Sequence, residues 1–270
     1  MNVQQLISQI KQKKSYLCVG LDTDIIKIPK HLQSLPDAVF SFNKAIIDAT
    51  KDFCVSYKIN TAFYEAQGVK GWEVIEKTVD YIGDAHFKIA DAKRGDIGNT
   101  SAQYAKTFFE TYNFDAVTVA PYMGEDSVRP FLEYENKVTI VLGLTSNAGA
   151  KNFELQKIGE DFLYEKVIKA AATWGTMDNV MFVIGATQAS EFDNIRKMIP
   201  EHFLLVPGVG TQGGSLQEVS EYGMNKNCGL LVNVSRAVIY ASAGEDFTDG
   251  AKKAAHHYQI EMSRYLDKYL

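Results

Sequence analysis

At 270 residues, with 46% hydrophobic and 23% charged residues, the chain has the make-up of a globule able to bury a large core. Its formal net charge of −5 and pI near 5.6 argue against nucleic acid or an anionic membrane as the main partner, so any phosphate it binds must be caught by a local site. No apolar run approaches the roughly 20 residues that span a bilayer.

The opening segment MNVQQLISQIKQKK spaces its apolar residues as a helix does and lacks the continuous apolar core of a signal peptide. It predicts a helix lying across one end of the fold. From there the chain repeats one unit: a short run rich in Val, Ile, Leu and Phe, a few polar or Gly residues, then an amphipathic stretch. The runs are Tyr16–Asp22, Cys54–Asn60, His86–Asp91, Ala116–Pro121, Val138–Thr145, Asn179–Ala186, His202–Gly208 and Gly229–Ser235. The segment between the first two, Asp37 to Asp52, begins after Pro36 and puts Ala38, Val39, Phe42, Ala45, Ile46 and Ala49 on one helical face. Eight near-continuous apolar strands alternating with helices fit a single parallel (β/α)₈ TIM barrel with an additional N-terminal helix. An open doubly wound sheet alternates in the same way, but it gathers its chemistry at one switch point. Here the charged and glycine-rich residues follow runs one, two, three, five, seven and eight, which only a closed ring brings to one mouth. No linker-like composition interrupts the chain, so residues 1–270 are expected to form one catalytic domain.

Cys18, Cys54 and Cys228 are odd in number, share no CxxC spacing and adjoin apolar runs; they read as reduced core thiols of a cytoplasmic protein. His31, His86, His202, His256 and His257 have no metal-ligand spacing tied to a carboxylate, and no GxSxG elbow or strand-end Cys/His pair offers a nucleophile. The glycines of run seven do not open a dinucleotide-binding βαβ unit, so no metal, nicotinamide or other cofactor is expected.

The densest chemistry lies in IADAKRGDIGNT, residues 89–100, where Asp91, Lys93, Arg94 and Asp96 fall within six residues. On a strand, a period of two points Asp91 and Lys93 to the same side, which at a strand end is the barrel mouth. A charge run is often only a solvated turn, but Gly95, Gly98 and Thr100 follow as loop and helix-cap residues rather than more charge. Asp22 alone could cap a helix and Lys58 alone could snorkel. Together with Asp91 and Lys93 they form alternating charges that satisfy one another at one mouth. Run five ends in Thr145, Ser146, Asn147, Ala148 and Gly149, which suits either hydrogen bonds to a planar heterocycle or a plain turn. Run six, ending in Gly185, Ala186, Thr187 and Gln188, carries no assigned chemistry. After runs seven and eight stand Gly208, Gly210, Gly213 and Gly214, then Ser235 and Arg236. Barrels often hold phosphate at those loops, where Gly admits backbone N–H groups and Arg grips in a bidentate way.

Asp-x-Lys-x-x-Asp continued as Ile97, Gly98, Asn99 and Thr100 resembles the signature of orotidine 5'-phosphate decarboxylase, and of the longer, bacterial-type branch in particular. The resemblance extends from about Leu17 to Arg236. It implies Lys93, Asp91, Asp96 and Lys58 as catalytic residues, with Asp22 on the ribose, Ser146 on the pyrimidine, and Gln212 and Arg236, beside Ser235, on the phosphate. It further implies a homodimer with composite sites, in which Asp96, Ile97 and Thr100 serve the neighbouring subunit. The implied reaction converts orotidine 5'-monophosphate to uridine 5'-monophosphate and carbon dioxide, the last step of de novo pyrimidine biosynthesis. Two other readings stand beside it. Magnesium-dependent sugar-phosphate lyases or synthases share the short motif but carry Glu at run two, where Lys58 would repel a divalent cation. A non-catalytic pyrimidine-nucleotide-binding barrel would have no use for the costly Asp91/Lys93 pair.

Overall fold

The computed structural model describes residues 1–210 and 213–270. Among them, eight parallel strands close into a barrel: β1 (Leu17–Gly20), β2 (Ser56–Asn60), β3 (Phe87–Arg94), β4 (Ala116–Val119), β5 (Val138–Leu144), β6 (Val180–Ile184), β7 (Phe203–Pro207) and β8 (Leu230–Val234). Each strand pairs with its sequence neighbours, and β1 pairs with β8 through Leu17 with Val232, Cys18 with Asn233 and Val19 with Val234, which leaves no edge in the ring. The TIM-barrel expectation is met.

Helix α1 (Val3–Lys13) precedes the barrel, and each strand is followed in turn by α2 (Ala38–Thr50), α3 (Val69–Ile82), α4 (Gly98–Lys106), α5 (Glu125–Leu132), α6 (Leu163–Ala171), α7 (Phe192–Met198), α8 (Leu216–Gly223) and α9 (Phe247–Tyr269). Asn2 caps α1 by accepting from the Gln5 N–H while Gln5 accepts from the Asn2 N–H, so the helix starts where two orphan donors are satisfied. Val3, Leu6, Ile7 and Ile10 are buried. Lys13 at its end donates to the carbonyls of Lys51 and Cys54, just before β2. This places α1 across the N-terminal end of the barrel, opposite the site. The three cysteines are buried free thiols; burial pushes Cys18 and Cys228 up to about 12 and Cys54 up to about 11, which makes them packing residues.

Three local details depart from the sequence reading. β1 ends at Gly20, so Asp22 stands on the loop beyond the strand rather than at its last position. The inner face of α2 is buried through Asn43, Ile47 and Thr50 as well as Ala38, Val39, Phe42 and Ile46, a face rotated from the one that Ala45 and Ala49 implied. Asn43 tolerates burial because it bonds Thr23, Tyr64 and Thr78. A small antiparallel hairpin, Lys157–Ile158 against Asp161–Phe162, also lies between β5 and α6.

Candidate active site

The C-terminal ends of the strands surround a cavity of about 210 Å³ lined by Asp22, Lys58, Asn60, Asp91, Lys93, Val183, Leu205, Pro207, Gly208, Val209, Asn233, Ser235 and Arg236. One side is a row of charges. Lys58 Nζ donates to Asp91 Oδ2 at 2.7 Å and lies 3.5 Å from Asp22 Oδ1, while Lys93 Nζ donates to Asp91 Oδ1. The Lys58 side chain is 4% exposed and that of Asp91 10%, so neither could stay charged alone. Burial by itself would raise the Asp91 carboxyl, but the ammonium groups of Lys58 and Lys93 outweigh it and hold the group far below the usual carboxylate range. Burial likewise pulls Lys58 down, and Asp22 and Asp91 more than reverse it, leaving its pKa above that of an ordinary lysine. Both groups are therefore ionised at neutral pH, with the Lys93 ammonium, half exposed, facing the cavity.

Lys93 does not reach this position by simple strand alternation. Its φ is +47°, in the left-handed region, and the β3–β4 register shifts between Ala90 and Arg94. A non-glycine residue there costs about 1 kcal/mol or more. Thr118 of β4 takes up the bulge: its Oγ1 accepts the Lys93 N–H at 2.9 Å and donates to Asp91 Oδ1 at 3.2 Å. Next in the chain, Arg94 pairs with Glu65 and lies over the rings of Tyr104 and Phe108, fixing the strand beyond the bulge.

The Asp22 loop is clamped from both sides. Tyr64 Oη donates to the Leu21 carbonyl at 2.8 Å, and Tyr240 Oη lies 2.8 Å from the Asp24 N–H and 3.2 Å from the Asp22 carbonyl. Asp22 Oδ1 is buried with no hydrogen-bond partner among the described residues. Opposite, Ser235 donates to the Gly20 carbonyl at 2.8 Å, and a Cβ on Gly20 would fall 2.5 Å from that hydroxyl oxygen, so only glycine lets β1 and β8 end this close. Arg236 opens the short turn after β8, exposed, and its guanidinium makes no hydrogen bond to another described residue. Gly208, with φ +101°, turns the chain out of β7 beside it.

Asp22, Lys58, Asp91, Lys93, Ser235 and Arg236 are thus brought together. Asp96, Ile97 and Thr100 do not line this cavity; Asp96 accepts from the Ile97 N–H, and Ile97 is 57% exposed. Ser146 lies off the cavity wall, packed under Gly185, on a loop held by Thr145, whose N–H and hydroxyl donate to Glu154 at 2.7 and 2.8 Å. Gln212 falls outside the described residues. The sequence reading passed over Asn60, Asn233 and the run-six residue Val183 as cavity residues. Asn60 and Asn233 were visible as polar residues closing apolar runs; Thr118 had no such signal, since its role arises only across the β3–β4 pairing.

A closed (β/α)₈ barrel whose buried Lys and Asp side chains meet an arginine at the C-terminal mouth is the architecture of a barrel enzyme that works there on a small molecule. The family model described as "Orotidine 5'-phosphate decarboxylase / HUMPS family" matches residues 15–246. The orotidine 5'-phosphate decarboxylase of Bacteroides fragilis is 58% identical over 270 residues, covering 98% of this chain and 98% of the relative. That of Flavobacterium johnsoniae is likewise 58% identical over 270 residues, covering 99% of each. Among solved structures, Leishmania donovani OMP decarboxylase superposes with a TM-score of 0.85 at 32% identity, covering 98% of both chains. The chain belongs to the orotidine 5'-phosphate decarboxylase family.

Proposed function

We propose that Lys93 is the proton donor of this enzyme, held in place by Asp91, and that Lys58 fixes Asp91 in turn. The reaction is the decarboxylation of orotidine 5'-monophosphate to uridine 5'-monophosphate and carbon dioxide in pyrimidine biosynthesis. The bond from ring carbon six to the carboxylate breaks, its electron pair stays on carbon six, and carbon dioxide leaves. The Lys93 ammonium stabilises that carbanion and then transfers a proton from Nζ to carbon six. The observation that carries the assignment is the arrangement of Lys93 and Lys58 on opposite oxygens of one buried carboxylate.

Magnitudes say that this pair does not act alone. One ammonium about 4 Å from a developing anion is worth about 4 kcal/mol at an effective dielectric near 20. Enzymes lower their barriers by about 8–23 kcal/mol. Binding of the remote phosphate and ribose supplies the rest by holding the ring against Lys93. In this reading Arg236, Ser235 and Gln212 take the phosphate, Asp22 the ribose and Ser146 the pyrimidine.

The active form in this reading is a homodimer in which Asp96, Ile97 and Thr100 enter the site of the partner. What supports it is their position outside their own cavity, with Ile97 exposed and Met123 close to Gly95 just before them. Residues 1–270 act as one catalytic domain, and the free buried thiols suit a cytoplasmic setting. No helix among the described residues is long and apolar enough to cross a membrane.

The test is loss of orotidine 5'-monophosphate absorbance with purified protein in excess EDTA. Turnover is expected. Absence of turnover removes this function, and turnover restored only by magnesium favours a metal-dependent lyase instead.

A further inference from the structure

We infer that Thr118 is a positioning residue for the reaction, and that its hydroxyl sets where the Lys93 ammonium stands. The inference rests on the roles given to Asp91 and Lys93 above. Thr118 is fully buried on β4, and its Oγ1 uses both of its capacities on those two residues. It accepts the Lys93 backbone N–H at 2.9 Å and donates to Asp91 Oδ1 at 3.2 Å, the same oxygen that receives the Lys93 ammonium.

The backbone explains why this contact matters. Lys93 sits at φ +47° where the β3–β4 register shifts, so its N–H is turned away from the ordinary strand ladder. An N–H shielded from water without a partner is costly, and Thr118 supplies the partner for this part-buried one in its left-handed conformation. Release of that bond lets the residue return toward extended geometry, which swings the ammonium off the cavity. The second bond locks the Asp91 carboxylate against rotation, with Lys58 on its other oxygen. One hydroxyl thereby couples the strain of the proton donor's backbone to the orientation of its carboxylate partner. Displacing a reacting group by about 1 Å costs on the order of 10²-fold in rate.

Two substitutions separate this role from packing. Thr118→Val keeps the branched shape and removes the hydroxyl; Thr118→Ser keeps the hydroxyl and removes the methyl. Expected for Thr118→Val is a fall in kcat of about 30- to 100-fold with KM and uridine 5'-monophosphate affinity within about threefold of wild type, because phosphate and ribose contacts lie elsewhere. Thr118→Ser is expected to retain kcat within about threefold. Full activity in Thr118→Val, or equal losses in both variants, overturns the inference. Should Thr118→Val fail to fold, Thr118→Ala carries the same comparison against Thr118→Ser. Lys93→Ala measured alongside keeps the two readings apart. An active Lys93→Ala enzyme refutes the proton-donor role itself, whereas an inactive Lys93→Ala with a fully active Thr118→Val refutes only the part given to Thr118.

Discussion

Lys58 pairs in register with Ile89, yet its ammonium donates at 2.7 Å to Asp91, two residues further along the neighbouring strand and on the same face. That diagonal reach is what a parallel barrel with alternating side chains allows. It puts a buried cation behind the carboxylate, leaving Asp91's other oxygen for Lys93 in front. The charges at the mouth are thus a stack, each held by the one beneath it.

Lys93 should prove indispensable to chemistry and dispensable for folding. Lys93→Ala is expected to abolish turnover while leaving nucleotide binding measurable. Lys93→Gly should be equally inactive but more stable than Lys93→Ala by about 1 kcal/mol, since glycine adopts positive φ without strain. A melting comparison checks this, with a difference of about 2–4 °C expected. A glycine variant that melts below the alanine variant would contradict a strained Lys93.

Arg236→Ala is expected to raise KM strongly for the phosphorylated substrate and to leave any residual reaction of the unphosphorylated nucleoside nearly unchanged. The guanidinium lines the cavity and has no hydrogen-bond partner among the described residues to lose. Steady-state kinetics on both substrates decide; equal losses on the two would mean that Arg236 does not hold phosphate.

His86 makes stability depend on acid at the other end of the barrel. Burial, then the Lys13 ammonium with its Nζ 2.9 Å from Nε2, lowers its pKa from 6.5 to about 4. The unfolded chain therefore binds a proton that the folded one refuses between these values, so stability is full above about pH 6.5 and falls as pH drops toward 4. Integrated over that window the loss is up to about 3 kcal/mol. Urea unfolding at pH 4.5 and 7 should show a smaller difference in His86→Gln than in wild type; an unchanged difference would place the acid sensitivity elsewhere.

Composite sites predict complementation between inactive chains. Lys93→Ala and Asp96→Ala proteins, mixed and allowed to exchange subunits, should recover about a quarter of wild-type activity per subunit. Random exchange makes about half the dimers mixed, and each mixed dimer holds one intact site. Demonstrated exchange without recovery would return Asp96 to its own subunit's site.

Much of this was open to reading in the chain itself. Periodicity and the repeated apolar runs determine eight strands and their helices, because burial on both faces demands near-continuous hydrophobicity. The pairing of Asp91 with Lys93, and the placing of Asp22, Lys58 and Arg236 after apolar runs, mark the mouth, since such charges at strand ends need partners. What only the tertiary structure decided is how those charges meet. The bulge at Lys93, the hydroxyl of Thr118 beneath it and the diagonal reach of Lys58 depend on register between strands 25 to 33 residues apart in the chain. No local pattern encodes that register, because it is set by closure of the whole ring and the packing of its core.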